Sequence, residues 1–273
     1  MSLELPGTEA TLNYLAPSAT KPVTYTYTPP QGVPQRSRGE PHRVEISDAR
    51  KLAEAARLDR EGFALVAHTT EVRDFLDEAE VRTVYYPEVE ALLKRTTGAD
   101  AVVIFDHTLR SAADERAKGV REPVRSVHND YTALSGKRRV SDHLPADEAE
   151  CRLRGRHSVI NVWRSIRGPI ETTPLAVCDA RSIRPDDLVP TDLVYPDRVG
   201  EVYSVRYNPA HRWYFYSKLR RDEALLIKTY DSLEDGTARF SAHSAFDDPA
   251  TRAGAPPRES IEVRALVFYP QAP

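Results

Sequence analysis

A chain of 273 residues with Lys+Arg 38 against Asp+Glu 41 has a formal net charge of -3, so it lacks the basic excess that holds a nucleic-acid backbone. No apolar run approaches the ~20 residues that cross a bilayer, and Met1-Ser2-Leu3-Glu4-Leu5-Pro6-Gly7 has neither the basic segment nor the apolar core of a secretory signal. Cys151 and Cys178 form no metal or redox motif and are too few for a disulfide framework, so a soluble, reducing, cytoplasmic setting is expected.

In chain order, Thr24-Tyr25-Thr26-Tyr27-Thr28 alternates aromatic with β-branched residues and predicts a strand, which Pro29-Pro30-Gln31-Gly32 ends. The polar stretch from Gln35 to Pro41 reads as a loop. Ser47 is placed as an N-cap, with Ala49, Leu52, Ala53 and Ala56 on one helical face and Gly62 as the stop, so a helix is expected there. Phe63 to Ala67 is a short apolar run of strand type. Pro87 suits a helix start, Val89, Leu92 and Leu93 its buried stripe, and Gly98 its C-terminal cap. Ala101 to Phe105 predicts a buried strand. From about residue 125 strand follows strand: Ser158 to Trp163, Leu175 to Cys178, Val202 to Tyr207, Trp213 to Tyr216, Ala224 to Tyr230 and Ser260 to Phe268. That spacing predicts a mainly β chain with flanking helices, built on a double-stranded β-helix of jelly-roll, cupin-like type. One domain is expected over 1–273, with a strand-and-helix part at 1–120 packed on the core at 121–273.

Two distant pieces of sequence carry the chemistry. On a strand, residues i and i+2 share a face, so His128 and Asp130 can bind one metal from a single rigid element. His243 would complete a set of two imidazoles and a carboxylate, which leaves open positions as non-haem Fe(II) oxygenases require. The net positive iron unit would attract an anionic 2-oxo acid, whose far carboxylate needs a planar cationic partner. On the strand that follows, Arg258, Ser260, Glu262 and Arg264 share one face, and Ile261, Val263, Ala265 and Val267 the other. Arg258 with Ser260 is therefore a candidate carboxylate clamp, with Arg264 in reserve. Asp106-His107 and Asp142-His143 are adjacent pairs, which a strand would point apart. His42, His68, His107, His143, His157 and His211 have no carboxylate at the right spacing.

The residues around these motifs also resemble a known family. The blocks Gly62-Phe63, Tyr85-Tyr86-Pro87-Glu88-Val89, Phe105-Asp106-His107-Thr108-Leu109-Arg110 and Val127-His128-Asn129-Asp130-Tyr131-Thr132 are similar to the asaB-like hydroxylase/desaturases. That family also takes in gibberellin desaturase-like proteins and a cephamycin methoxylase component. Asn161-Val162-Trp163-Arg164, Pro174 to Asp179, Trp213 to Tyr216, Lys228 to Ser232, His243 to Phe246 and Arg258 to Arg264 extend the resemblance over nearly the whole chain. It implies an Fe(II)/2-oxoglutarate-dependent dioxygenase that oxidises a small-molecule substrate with O2, by hydroxylation or desaturation, in specialised metabolism. It implies His128, Asp130 and His243 as the iron ligands. The one departure is Ser165, where Pro was expected after Arg164.

Further candidates stay open on the sequence. Asn161 and Trp163 share a strand face beside the cosubstrate; alternatively Trp163 is a core aromatic and Arg164 an exposed ion-pair partner. Arg125, Tyr131, Thr132 and Arg164 are candidate substrate contacts, Tyr131 and Thr132 as a continuation of the His128 strand. Asp247 to Pro257 is a proline-containing loop placed to cover the site. Exposed aromatic strands would permit a homodimer, and neither a nucleic acid nor a membrane is expected as a partner. Competing readings are an iron oxygenase without 2-oxoglutarate, a cupin-like binding protein with no catalysis, and a zinc hydrolase. The last lacks a general base beside the ligands.

Overall fold

The computed structural model describes residues 7–113 and 119–270. Strands that are apolar on both faces take the middle of a sheet. β7 (His157–Ser165) and β12 (Glu223–Asp231) are buried along their whole lengths, and β14 (Glu259–Phe268) nearly so. Together with β4 (Phe63–Ala67) and β5 (Ala101–Ser111) they form a five-stranded antiparallel sheet in the order β4-β12-β7-β14-β5.

The second sheet has nine strands in the order β1-β3-β11-β8-β13-β6-β10-β9-β2. They are β1 (Gly7–Leu15), β3 (Gly39–Asp48), β11 (Trp213–Phe215), β8 (Leu175–Cys178), β13 (His243–Ala245), β6 (His128–Asn129), β10 (Val199–Val205), β9 (Leu188–Val194) and β2 (Val23–Tyr25). β11 on β3 and β2 on β9 run parallel, and the remaining pairs antiparallel. Leu175 and Val177 of this sheet pack with Phe63, Trp163, Leu225 and Ile227 of the other, so the two enclose a common core. The result is the jelly-roll expected from the strand spacing. β1, β2 and β3 belong to the larger sheet and β4 and β5 to the smaller. The strands of the described residues up to 113 are thus woven into both sheets rather than laid on a separate core.

The outer face of the five-stranded sheet is covered by one helical stretch. It begins as α1 (Glu78–Glu80), widens into a π-helical turn at Val81–Tyr85 and continues as α2 (Tyr86–Thr97). Val89, Leu92 and Leu93 pack on Ile160, Val162, Leu226, Ile261 and Val263. Gly98 closes α2 in the left-handed region at φ 72, where a side chain would be strained. No helix among the described residues is long and apolar enough to cross a membrane.

Three expectations fail here. Ser47 caps no helix: it lies inside β3, paired with Gly7, and only a single 3-10 turn at Ala49–Lys51 follows, capped by Asp48. β3 is flanked on both sides, by β1 and β11, and this pairing claims the expected cap, while Leu52, Ala53 and Ala56 lie in irregular chain. The Gln35–Pro41 loop is likewise shortened, because β3 begins at Gly39. Conversely, α3 (Ala133–His143) and α4 (Ala146–Leu153) fall in a region read as strands. The buried residues of α3 are Ser135, Gly136 and Val140, a stripe too small and polar to register as apolar periodicity. Gly136 lets the helix lie close on β12, since a Cβ there would come 2.4 Å from Cγ of Tyr230.

Candidate metal centre

β6 and β13 are neighbours, and His243 is the direct cross-strand partner of His128. Opposed residues emerge on the same face, and the two rings stand 4.5 Å apart between centroids. Asp130 lies just past the end of β6. Its Oδ1 is 3.5 Å from His128 Nε2 and 3.9 Å from His243 Nε2. Among the described residues, this is the group of His, Cys, Asp or Glu side chains near enough to share an ion, with one ligand atom from each within 4.8 Å of the others.

The second nitrogen of each ring decides what the first can do. Nδ1 of His128 is 2.8 Å from the Ser126 carbonyl oxygen, and Nδ1 of His243 is 3.2 Å from that of Ser241. A carbonyl only accepts, so each Nδ1 carries the proton and each Nε2 keeps its lone pair toward the centre. Burial, with the His128 ring close by, holds His243 below its usual range, so it stays neutral. Burial opposes ionisation of Asp130, yet the neighbouring His128 ring and the charge on Arg264 hold it well below the usual carboxylate range. Two neutral imidazoles and one carboxylate, with nitrogen lone pairs and Oδ1 converging, form a donor set that fits divalent iron.

The five-stranded sheet faces this group with the polar side of β14. Arg258 is 2 % exposed and Ser260 1 %. Nε of Arg258 donates to Ser260 Oγ at 3.2 Å and Nη1 to the Thr173 carbonyl at 2.9 Å, and the guanidinium lies 5.1 Å above the Trp163 ring. The backbone N–H of Arg258 is held by Thr172 Oγ1 at 2.8 Å. Thr173 has φ 47, a left-handed conformation that aims its carbonyl at the guanidinium. Arg258 makes no ion pair with any described residue. Burial, with Arg110 next in effect, pushes its guanidinium down to about 9. A buried cation without a counter-ion is a ready seat for an anion.

Arg264, at the other end of the same face, is saturated. Nε donates to Asp130 Oδ2, Nη1 to Asp106 Oδ1 and Thr108 Oγ1, and Nη2 to Glu262 Oε1. Of the two arginines left open by the sequence, only Arg258 is free for a ligand. Asn161 lies beside Asp130 and donates to its Oδ2 at 2.7 Å. Trp163 serves both readings, packing in the core while carrying the Arg258 guanidinium on its face.

The substrate candidates scatter. Arg125 is half-exposed and paired with Asp247 at 2.7 Å. Thr132 does not continue the strand: it is the N-cap of α3 and bonds Glu201. Tyr131 turns into the aromatic cluster with Phe105 and Phe240. Arg164 is neither exposed nor near the ligands. It lies on the opposite face of β7 from Asn161, donating to the carbonyls of His68 and Arg221 and lying over Phe75 and Tyr85. Ser165, the unexpected non-proline, simply ends β7 in register with Ser260. The Asp247–Pro257 loop is tied down by Arg252 on Glu171 and by the Pro256 carbonyl on Thr172 Oγ1.

Sequence reasoning gave no role to Thr172, Thr173, Asp106 or Glu262. Glu262 was on the expected face, but Asp106 joins Arg264 only once β5 and β14 are paired. A residue before proline is expected to be extended, so nothing announced the left-handed Thr173.

Comparison with known proteins agrees with this arrangement. A family model described as an oxidoreductase/YMDC permease-like domain matches residues 12–268. The hydroxylase/desaturase CTB9 of Cercospora beticola is 37% identical over 257 residues, covering 86% of this chain and 78% of that protein. The Fe(II)/2-oxoglutarate-dependent dioxygenase nvfI of Aspergillus novofumigatus is 37% identical over 253 residues, covering 89% and 90%. A solved structure of the iron and alpha-ketoglutarate-dependent endoperoxidase NvfI superposes with a TM-score of 0.89 at 32% identity, covering 97% of this chain and 99% of that one. The chain therefore belongs to the oxidoreductase/YMDC permease-like family, and with these relatives to the hydroxylase/desaturase family of Fe(II)/2-oxoglutarate-dependent dioxygenases.

Proposed function

We propose that His128, Asp130 and His243 are the iron ligands of this dioxygenase and that Arg258, with Ser260, grips the far carboxylate of 2-oxoglutarate, all within one oxygenase domain. The observation that carries the reading is the buried Arg258 guanidinium, which makes no ion pair among the described residues and lies in the same alternating row as Arg264, the partner of Asp130. Ferrous iron, when bound, supplies the activation of O2 and the oxidising power. The chain's own part is to place the reactants. Two Nδ1 bonds to backbone carbonyls keep both imidazoles aimed. The Arg258 fork offers two parallel donors to one carboxylate, and Trp163 and Thr173 keep that fork from turning. The walls are two packed sheets, which keep bulk water away from the reacting centre.

The substrate is a small organic molecule, and hydroxylation or desaturation is the outcome we assign, in keeping with the names of the relatives. Cys151 and Cys178 are both free thiols, which supports a reducing, cytoplasmic setting. The test is succinate formation by the purified protein given Fe(II), 2-oxoglutarate and oxygen. Wild type forms succinate slowly without substrate. Arg258→Ala raises the KM for 2-oxoglutarate about 100-fold while leaving metal binding intact. An unchanged KM in that variant would overturn the clamp.

A further inference from the structure

The two oxygens of Asp130 are not equivalent. Oδ1 faces the two imidazoles at 3.5 and 3.9 Å. Oδ2 is committed elsewhere, accepting from Asn161 Nδ2 at 2.7 Å and from Arg264 Nε at 3.3 Å. A carboxylate normally rotates with little resistance about its last bond. Here, rotation that brought Oδ2 round to the centre would break both bonds at once.

The two donors come from one row across three strands. Arg264 on β14 is the cross-strand partner of Asn161 on β7 and of Asp106 on β5. The register between β14 and β5 shifts just after Arg264. Such a bulge re-aims a side chain and is common beside active sites. Arg264 cannot swing away, because Asp106, Thr108 and Glu262 hold its remaining nitrogens. Despite burial, Glu262, Asp130 and Asp106 keep it protonated well above its usual range.

Asn161 shows what this arrangement is built for. The residue is fully buried, its Nδ2 is spent on Asp130, and its Oδ1 has no hydrogen-bond partner. Buried acceptors are rarely left so, and the exceptions call for an explanation. Turning the amide over would set its oxygen against Asp130 Oδ2, two acceptors with no proton between them. Asp130 therefore dictates the amide's orientation at the expense of the amide's own oxygen.

We infer that Asn161 and Arg264 are positioning residues that reserve Oδ2 of Asp130, so that the carboxylate ligates the metal through Oδ1 alone. The inference rests on the proposed triad. It assigns both residues away from the cosubstrate, where the sequence had suggested them. Two imidazoles and one oxygen occupy three places of an octahedral ion, and a chelating 2-oxo acid with dioxygen needs the other three. A second Asp130 oxygen would close one of them.

The experiment is a cobalt(II) titration under nitrogen without 2-oxoglutarate, followed by visible absorption, on wild type, Asn161→Ala, Arg264→Lys and His243→Ala. Wild type binds one cobalt and His243→Ala does not. Asn161→Ala and Arg264→Lys bind about 10- to 100-fold more weakly, with a changed visible band that a purely structural loss would not produce. Asn161→Ala retains both partners of the fold around it and is the variant to rely on if Arg264→Lys fails to fold. If Asn161→Ala binds cobalt with wild-type affinity and band, and loses only affinity for added 2-oxoglutarate, the positioning role falls while the triad stands. If wild type binds no cobalt, or His243→Ala binds it as well as wild type does, the triad and the positioning role fall together.

Discussion

Arg258, just before β14, and Arg264, midway along it, carry the same side chain in opposite electrostatic states. Arg264 bonds Asp130 directly, and Arg258 belongs to the same alternating row of the chain. Arg258 has a hydroxyl, a carbonyl and an indole face for company and no carboxylate, and burial pushes it down to about 9. Arg264 sits among Glu262, Asp130 and Asp106 and is held protonated. A fully neutralised guanidinium is part of the framework, because a further anion would gain little and displace much. An unpaired one costs stability until an anion arrives, and that cost is returned on binding. Position along the chain thus sorts two identical residues into a scaffold member and the clamp we propose.

The sharpest way to break this contrast is Arg264→Leu. It leaves three carboxylates without the guanidinium that bonds all of them, and a loss of about 3–5 kcal/mol in urea unfolding is expected. A loss below about 1 kcal/mol would mean that Arg264 is no keystone. Arg258→Leu should do the reverse, leaving unfolding stability unchanged or about 1 kcal/mol higher, while equilibrium binding of 2-oxoglutarate under nitrogen weakens about 100-fold. Stability and affinity that fall together would show Arg258 to be structural.

Thr173→Gly sharpens the picture at the clamp. Glycine accepts φ 47 without strain and retains the carbonyl that holds Arg258. A gain of up to about 1 kcal/mol in stability with unchanged 2-oxoglutarate affinity is expected. A large loss of affinity would instead show that the threonine side chain itself shapes the site.

The smallest effect concerns a third buried arginine, Arg164, whose hydrogen-bond partners are neutral groups. Its Nη1 lies 3.1 Å from Nδ1 of His68, and burial, then the Arg164 charge, lower His68 to about 4 from 6.5. The unfolded chain takes up this proton below about 6.5 and the folded one only near 4. Stability should therefore fall as pH drops through that interval. His68→Gln should flatten that slope between pH 7 and 4 in urea midpoints. An identical slope would place the acid sensitivity elsewhere.

How much of this was readable in advance varies by element, for physical reasons. α2 announced itself because Pro87, the Val89, Leu92 and Leu93 stripe and Gly98 are local signals acting within one element. α3 did not, because its buried side rests on Gly136 and Ser135, whose fitness depends on Tyr230 nearly a hundred residues away. The helix expected after Ser47 lost its cap to the pairing of β3 with β1 and β11, and beyond it only one 3-10 turn forms. Propensity is a weak preference that tertiary context overrides.

For the site, the i, i+2 spacing singled out His128 and Asp130, which the fold brings together with His243 although Asp130 lies just past the end of β6. Sequence alone thus determined the family and the strand-rich architecture. Only tertiary structure brought His243 opposite His128, turned Arg164 to the far face, and surrounded Arg264 but not Arg258 with carboxylates. Those decisions depend on register between strands distant in the chain, and pairwise register is set by the closing of the whole sheet rather than by any one segment.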